Sequence, residues 1–166
     1  MTVINGIAST QVAGRLLARL PVRVIVVPGL LIGAAGAALL TQLTPASSYA
    51  GLVLPAELLI GIGLGLSVMP LFATATREAD PADAGATGAT ANMAMQVGAS
   101  IGTAVLNTIA ATATVAYLTA HHGASGAATA AVSRGYATAS IWAAATFALA
   151  ALIGGALITT RPTAAR

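Results

Sequence analysis

Residues 22–43 read VRVIVVPGLLIGAAGAALLTQL, and between Val24 and Leu40 they hold no strongly polar side chain. A helix needs roughly 20 apolar residues, at about 1.5 Å each, to cross about 30 Å of hydrocarbon. This run is long enough. Further apolar segments lie at residues 2–20, 49–76, 81–118 and 134–160. Charge is squeezed into the gaps between them. Only 7% of residues are charged, 57% are hydrophobic, and mean hydropathy is +0.90. A soluble domain carries about 25% charged residues. This chain has too few to cover a globule in water, so its solvent is lipid. The expected fold is all-α: a polytopic bundle of about five transmembrane segments spread over residues 1–166.

Composition excludes several functions. The net charge of +3 comes from seven basic residues, all arginine, against four acids. These arginines sit at segment ends and mark membrane topology. Aromatics are 4% of the chain, and no basic run is interleaved with them. No platform for stacking bases exists, so nucleic acid is not an expected partner. There is no cysteine, hence no disulfide, iron–sulfur cluster or thiol nucleophile. Met1 is not followed by a basic stretch, which argues against a signal peptide. No Ser/His/Asp set or carboxylate pair appears, and no enzyme activity or cofactor is expected. His121 and His122 are adjacent in a loop without a third ligand, a pattern of solvated rather than metal-binding histidines.

The segments differ in polarity. The first is broken by Asn5, Ser9, Thr10 and Gln11 and then meets Arg15. It reads as the truncated end of a helix. The second and fifth have few polar interior residues and are expected to face lipid. The first, third and fourth carry the polar interior residues and are expected to face protein or water. Asp80, Pro81 and Asp83 form a start signal for the fourth segment. Arg15, Arg19, Arg23, Arg77 and the C-terminus cluster on one side, expected to be cytoplasmic. Tyr49, Tyr117 and Tyr136 fall at the opposite boundary, where amphipathic rings favour the headgroups.

Candidate functional residues follow from spacing. Asn92, Gln96, Ser100, Thr103 and Asn107 are four, four, three and four residues apart, which puts all five on one helical face. That face could line a pathway or bond neighbouring helices. The roughly opposite face carries Ala91, Gly98 and Gly102, and the glycine pair lets another helix approach closely. Glu57 is the single acid inside an expected span, about 12 Å from its end. An acid at that depth is costly unless paired, protonated or wet, so a proton or cation role is the default expectation, with snorkelling to the surface the competing one. Gly61 and Gly65 follow on the same face, which is expected to pack tightly and to turn Glu57 into the bundle. With Gly63 they form a GxGxG, but no strand precedes it, so helix packing rather than nucleotide binding is its reading. Pro70 is expected to kink the third segment or end its regular part.

These residues together carry a resemblance. The run from Gly61 to Pro70, the stretch DPADAGATG at residues 80–88, and Asn92-x3-Gln96-x-Gly98-x3-Gly102 resemble the major facilitator superfamily, and within it the fourteen-helix drug:proton antiporter branch. Gly14-Arg15-Leu-Leu-Ala18-Arg19-Leu-Pro21-Val-Arg23 resembles that superfamily's cytoplasmic loop motif, with Ala18 where the motif prefers Asp and Pro21 where it prefers Gly. The resemblance covers essentially the whole chain but about the last third of such a transporter. It implies cavity-side positions for the first, third and fourth segments. It also implies the C-terminal part of a proton-coupled exporter of small hydrophobic or cationic compounds, multi-pass in the plasma membrane and inactive alone. The implied partners are the lipid bilayer, protons, a small-molecule substrate, and either the N-terminal half or an oligomeric partner. The alternative is a non-transporting product or helper subunit that associates with other membrane proteins.

Overall fold

A computed structural model describes residues 21–77, 80, 83–122 and 124–158. Four long helices account for most of them, and no strand occurs among the described residues. Helix α1 spans Val22–Leu40. A single π-helical turn, Tyr49–Val53, leads into α2, Leu54–Arg77. Helix α3 spans Ala84–Ala120 and α4 spans Ala127–Leu157. All four are long and apolar enough to cross a membrane. The segment at residues 2–20, with Gly14, Arg15 and Arg19, lies outside the described residues.

Helix α1 is the centre of the assembly. It packs along α2 on one side and α4 on the other; α3 packs on α4 and makes only slight contact with α2. The reason is in the opening stretch of sequence. Gly29, Gly33 and Gly36 share one face of α1 at spacings of four and three. Ala56, Ile60, Gly63 and Ser67 answer them from α2. A Cβ placed on Gly63 would sit 2.6 Å from both the Gly29 carbonyl oxygen and the Gly33 amide nitrogen. The two backbones therefore touch. With lipid as apolar as leucine, such close packing and interhelical hydrogen bonds are what hold membrane helices together. Ser67 supplies one of those bonds: its buried hydroxyl lies 2.8 Å from the Gly63 carbonyl oxygen of its own helix and 3.3 Å from that of Val26 on α1.

On its other side α1 sets Val26 and Leu30 against Ala151 of α4, with Phe147, Ala150 and Ile158 around them. Gly33 faces the Phe147 ring. Helices α3 and α4 meet where Gly135 lies against the Ala110 carbonyl and Thr114. Outward surfaces are strongly apolar: Met93, Leu152, Leu157 and Trp142 are all more than half exposed. A surface of that kind in water would mark an interaction site or an aggregation hazard. On helices long and apolar enough to cross a membrane, such a surface suits lipid or further membrane helices.

Several expectations are corrected. Helix α1 does not lie at the periphery; it holds Ile25, Val26, Gly29, Leu30, Gly33, Gly36 and Ala37 buried. An all-apolar surface suits lipid and protein equally, and its glycines decide in favour of protein. Helix α4 opens at Ala127 rather than at residue 134. Gly126 adopts a left-handed φ of +78° just before it, and the alanine-rich stretch that follows favours helix. Helix α3 opens at Ala84, with Asp83 at the cap position and no side-chain capping bond; Pro81 lies outside the described residues. Pro70 does not end α2, which runs on to Arg77. Thr74 donates its hydroxyl back to the Pro70 carbonyl at 2.8 Å, the usual back-bond of a helical threonine.

Candidate functional site

Helix α3 is 37 residues long, about 55 Å at 1.5 Å per residue. Its second half leans on α4. Its early and central turns carry Asn92, Gln96, Ser100, Thr103 and Asn107, and all five are exposed. Ser100 turns its hydroxyl back to the Gln96 carbonyl at 2.9 Å. The side chains of Asn92, Gln96, Thr103 and Asn107 have no hydrogen-bond partner among the described residues. The stripe is therefore assembled on one face but left uncovered. Nothing lies within 4 Å of a Cβ built on Gly98 or Gly102, so the close helix approach expected there does not occur among the described residues. The cause is geometric: α4 crosses α3 near Ala110 and Thr114 and continues onto α1 rather than along α3.

Glu57 sits in the first turn of α2. It is exposed and does not turn into the packed interior, contrary to the expectation from Gly61 and Gly65. Those two glycines are half-buried, and the buried face of α2 runs instead through Ala56, Gly63, Ser67 and Pro70. The carboxylate accepts a hydrogen bond of 3.2 Å from the Tyr49 hydroxyl, two turns earlier. No hydrogen bond joins Glu57 to the stripe on α3. Arg23, the described arginine of the loop motif, is exposed in the first turn of α1.

Some of these partners were hidden in the sequence. Tyr49 reads as a boundary marker, yet its eight-residue spacing from Glu57 puts both on one helical face. Ser67 gives no polar signal of its own in an apolar run. Gly63 was visible, but only as the middle of a GxGxG.

Four apolar helices packed through glycine contacts, with an uncovered polar stripe, define a multi-pass membrane protein. No family model matches the chain, and no solved structure matches it. Among curated proteins it is 44% identical over 162 residues to the puromycin resistance protein pur8 of Streptomyces alboniger, which covers 96% of this chain and 32% of that protein. It is 37% identical over 120 residues to the cephamycin export protein CmcT of Amycolatopsis lactamdurans, covering 70% of this chain and 25% of that one. The chain thus spans a third or less of the length of these curated relatives. One is named as a resistance protein and the other as an export protein.

Proposed function

We propose that this chain forms the C-terminal part of a proton-coupled major facilitator efflux transporter, of the fourteen-helix drug:proton antiporter branch. It exports small hydrophobic or cationic compounds across the plasma membrane, with its C-terminus cytoplasmic. The carrying observation is the uncovered stripe of Asn92, Gln96, Ser100, Thr103 and Asn107, in a chain similar to an export protein and a resistance protein over most of its length. Amides facing lipid are costly. Facing a water-filled path between two bundles, they cost little and can meet a substrate. Alternating access needs two bundles that rock about a shared site. This chain supplies part of one, so by this reading it does not transport alone. Glu57, with its carboxylate held by Tyr49, is the proton-carrying candidate.

A graft tests the proposal. This chain replaces the matching third of the Streptomyces alboniger puromycin resistance protein, and puromycin accumulation is followed in cells with and without a protonophore. The graft should lower accumulation in a protonophore-sensitive way. Glu57→Gln should reduce export about tenfold or more, on the scale of losing a positioned proton-transfer group, with expression unchanged. Gradient-driven dye movement by the pure chain alone in proteoliposomes would sink the claim that it needs a second bundle.

A further inference from the structure

At the end of the assembly where α1 gives way to α2 and α3 to α4 lies an open cleft of about 420 Å³, with Arg134 exposed at it. Thr44 and Pro45 wall it from one connection, Tyr117 and His121 from the end of α3, and Ser133 and Arg134 from α4. The Tyr117 and His121 rings stack with centroids 4.1 Å apart, which fixes the tyrosine. The His121 Nδ1 faces the Tyr117 carbonyl at 3.0 Å, so that nitrogen carries a hydrogen. Ser133 already donates its hydroxyl to the Thr129 carbonyl at 3.1 Å. Two strong donors are left uncommitted: the Arg134 guanidinium and the Tyr117 hydroxyl, neither of which has a partner among the described residues.

The charge here is unbalanced. No lining residue is acidic. Asp80 and Asp83 lie at the other end of α3, about 50 Å along the helix, and Glu57 is engaged by Tyr49. The depth is also informative. Helix α4 has 31 residues, about 46 Å, against about 30 Å of hydrocarbon. Arg134 is its eighth residue, about 10 Å from its start. Tyr49 and Tyr136 are 60% and 57% exposed at this same end, where such rings mark the headgroup level. A guanidinium with a free fork, a fixed phenol and no acid, at the depth of lipid phosphates, matches an oxyanion with several acceptor atoms.

We propose that this open cleft binds a phosphate oxyanion, with Arg134 as the charged donor and Tyr117 as the neutral one. The oxyanion comes either from a phospholipid headgroup or from free phosphate. The site is separate from the α3 stripe and stands whether or not the chain belongs to an exporter.

The test uses the full chain in mild detergent, titrated with phosphatidylglycerol and followed by native mass spectrometry. A diacylglycerol with the same acyl chains serves as the phosphate-free control. Phosphatidylglycerol should bind and diacylglycerol should not. Arg134→Gln should weaken binding about tenfold, the loss expected for a charge-assisted pair. Arg134→Lys should fall between, since lysine keeps the charge but not the fork. Tyr117→Phe should weaken it by a smaller factor. If Arg134→Gln cannot be purified, the lysine and phenylalanine variants carry the test. Full displacement of the lipid by millimolar inorganic phosphate assigns the site to free phosphate; resistance to displacement assigns it to the headgroup. Equal binding of the two lipids, or unchanged phosphatidylglycerol affinity in the Arg134 variants, overturns the proposal.

Discussion

The α1–α2 interface and the first half of α3 use the same device with opposite outcomes. Gly29 and Gly33 on α1 are four residues apart, and so are Gly98 and Gly102 on α3. A Cβ on Gly29 would stand 2.7 Å from the Ser67 hydroxyl and 3.1 Å from the Gly63 carbonyl oxygen of α2, and one on Gly33 would stand 2.9 Å from the Phe147 ring of α4. The second pair meets nothing within 4 Å. Small residues at this spacing say that a helix can come close. They do not say which helix, or whether it is in the same chain. The partner is decided by what faces the glycines. For α1 it is α2, carrying Gly63 and Ser67. For Gly98 and Gly102 of α3 the described residues offer no partner.

The sharpest way to break the comparison is Gly63→Ala. The added Cβ would meet the Gly29 carbonyl oxygen and the Gly33 amide, both backbone atoms that cannot swing aside. The helices must separate or slide. Overpacking of this kind costs about 1–3 kcal/mol. Denaturation of the chain in mixed micelles should show that loss, while Gly102→Ala, facing open space, should leave the midpoint in place. Equal effects at the two positions would erase the distinction between a filled face and an open one.

A smaller effect is expected at Ser67. Its hydroxyl bonds to Val26 across the interface and to Gly63 within α2. Ser67→Ala removes both contacts but leaves the interface shape, so the chain should lose about 0.6 kcal/mol, the average for interhelical polar contacts in a membrane protein. The same micelle assay measures it. A loss as large as that of Gly63→Ala would mean that hydrogen bonding rather than close packing holds α1 to α2.

What could be read in advance follows the same physics. The apolar run of α1 announces a span, because hydrocarbon thickness and helix rise fix the length. Its central position is not announced, because valine and leucine serve lipid and protein contacts alike. Only the three-glycine pattern held that information, and its meaning depends on α2. The early start of α4 was masked by Arg134: a charge suggests the end of a span, yet a helix can carry it at headgroup depth. Gly126 was the better signal. For Glu57 the sequence suggested burial, but its neighbours Gly61 and Gly65 do not share the buried face that Gly63 occupies. The five polar residues of α3 were legible as one face by spacing alone. What covers them was not, since spacing carries no information about helices outside the chain.

The smallest effect is expected from Gly98→Leu in this chain alone, and its contrast with the graft makes it decisive. Gly98 is exposed and its surroundings are open, so leucine has room. Leucine is also the better helix former by somewhat under 1 kcal/mol. Stability of the isolated chain should therefore be unchanged or slightly raised, within about 0.5 kcal/mol. In the graft onto the puromycin resistance protein, a second set of helices becomes available. If one of them closes on Gly98 and Gly102, leucine leaves it no room, and folded graft should fall sharply while Gln96→Ala and Asn107→Ala change drug preference with assembly intact. Thermal denaturation with fluorescence detection, run on chain and graft side by side, reads the contrast. Tolerance of leucine in both settings would show that this face of α3 meets only lipid. Equal loss of folded graft for all three variants would show that the polar stripe packs against other helices and lines no pathway.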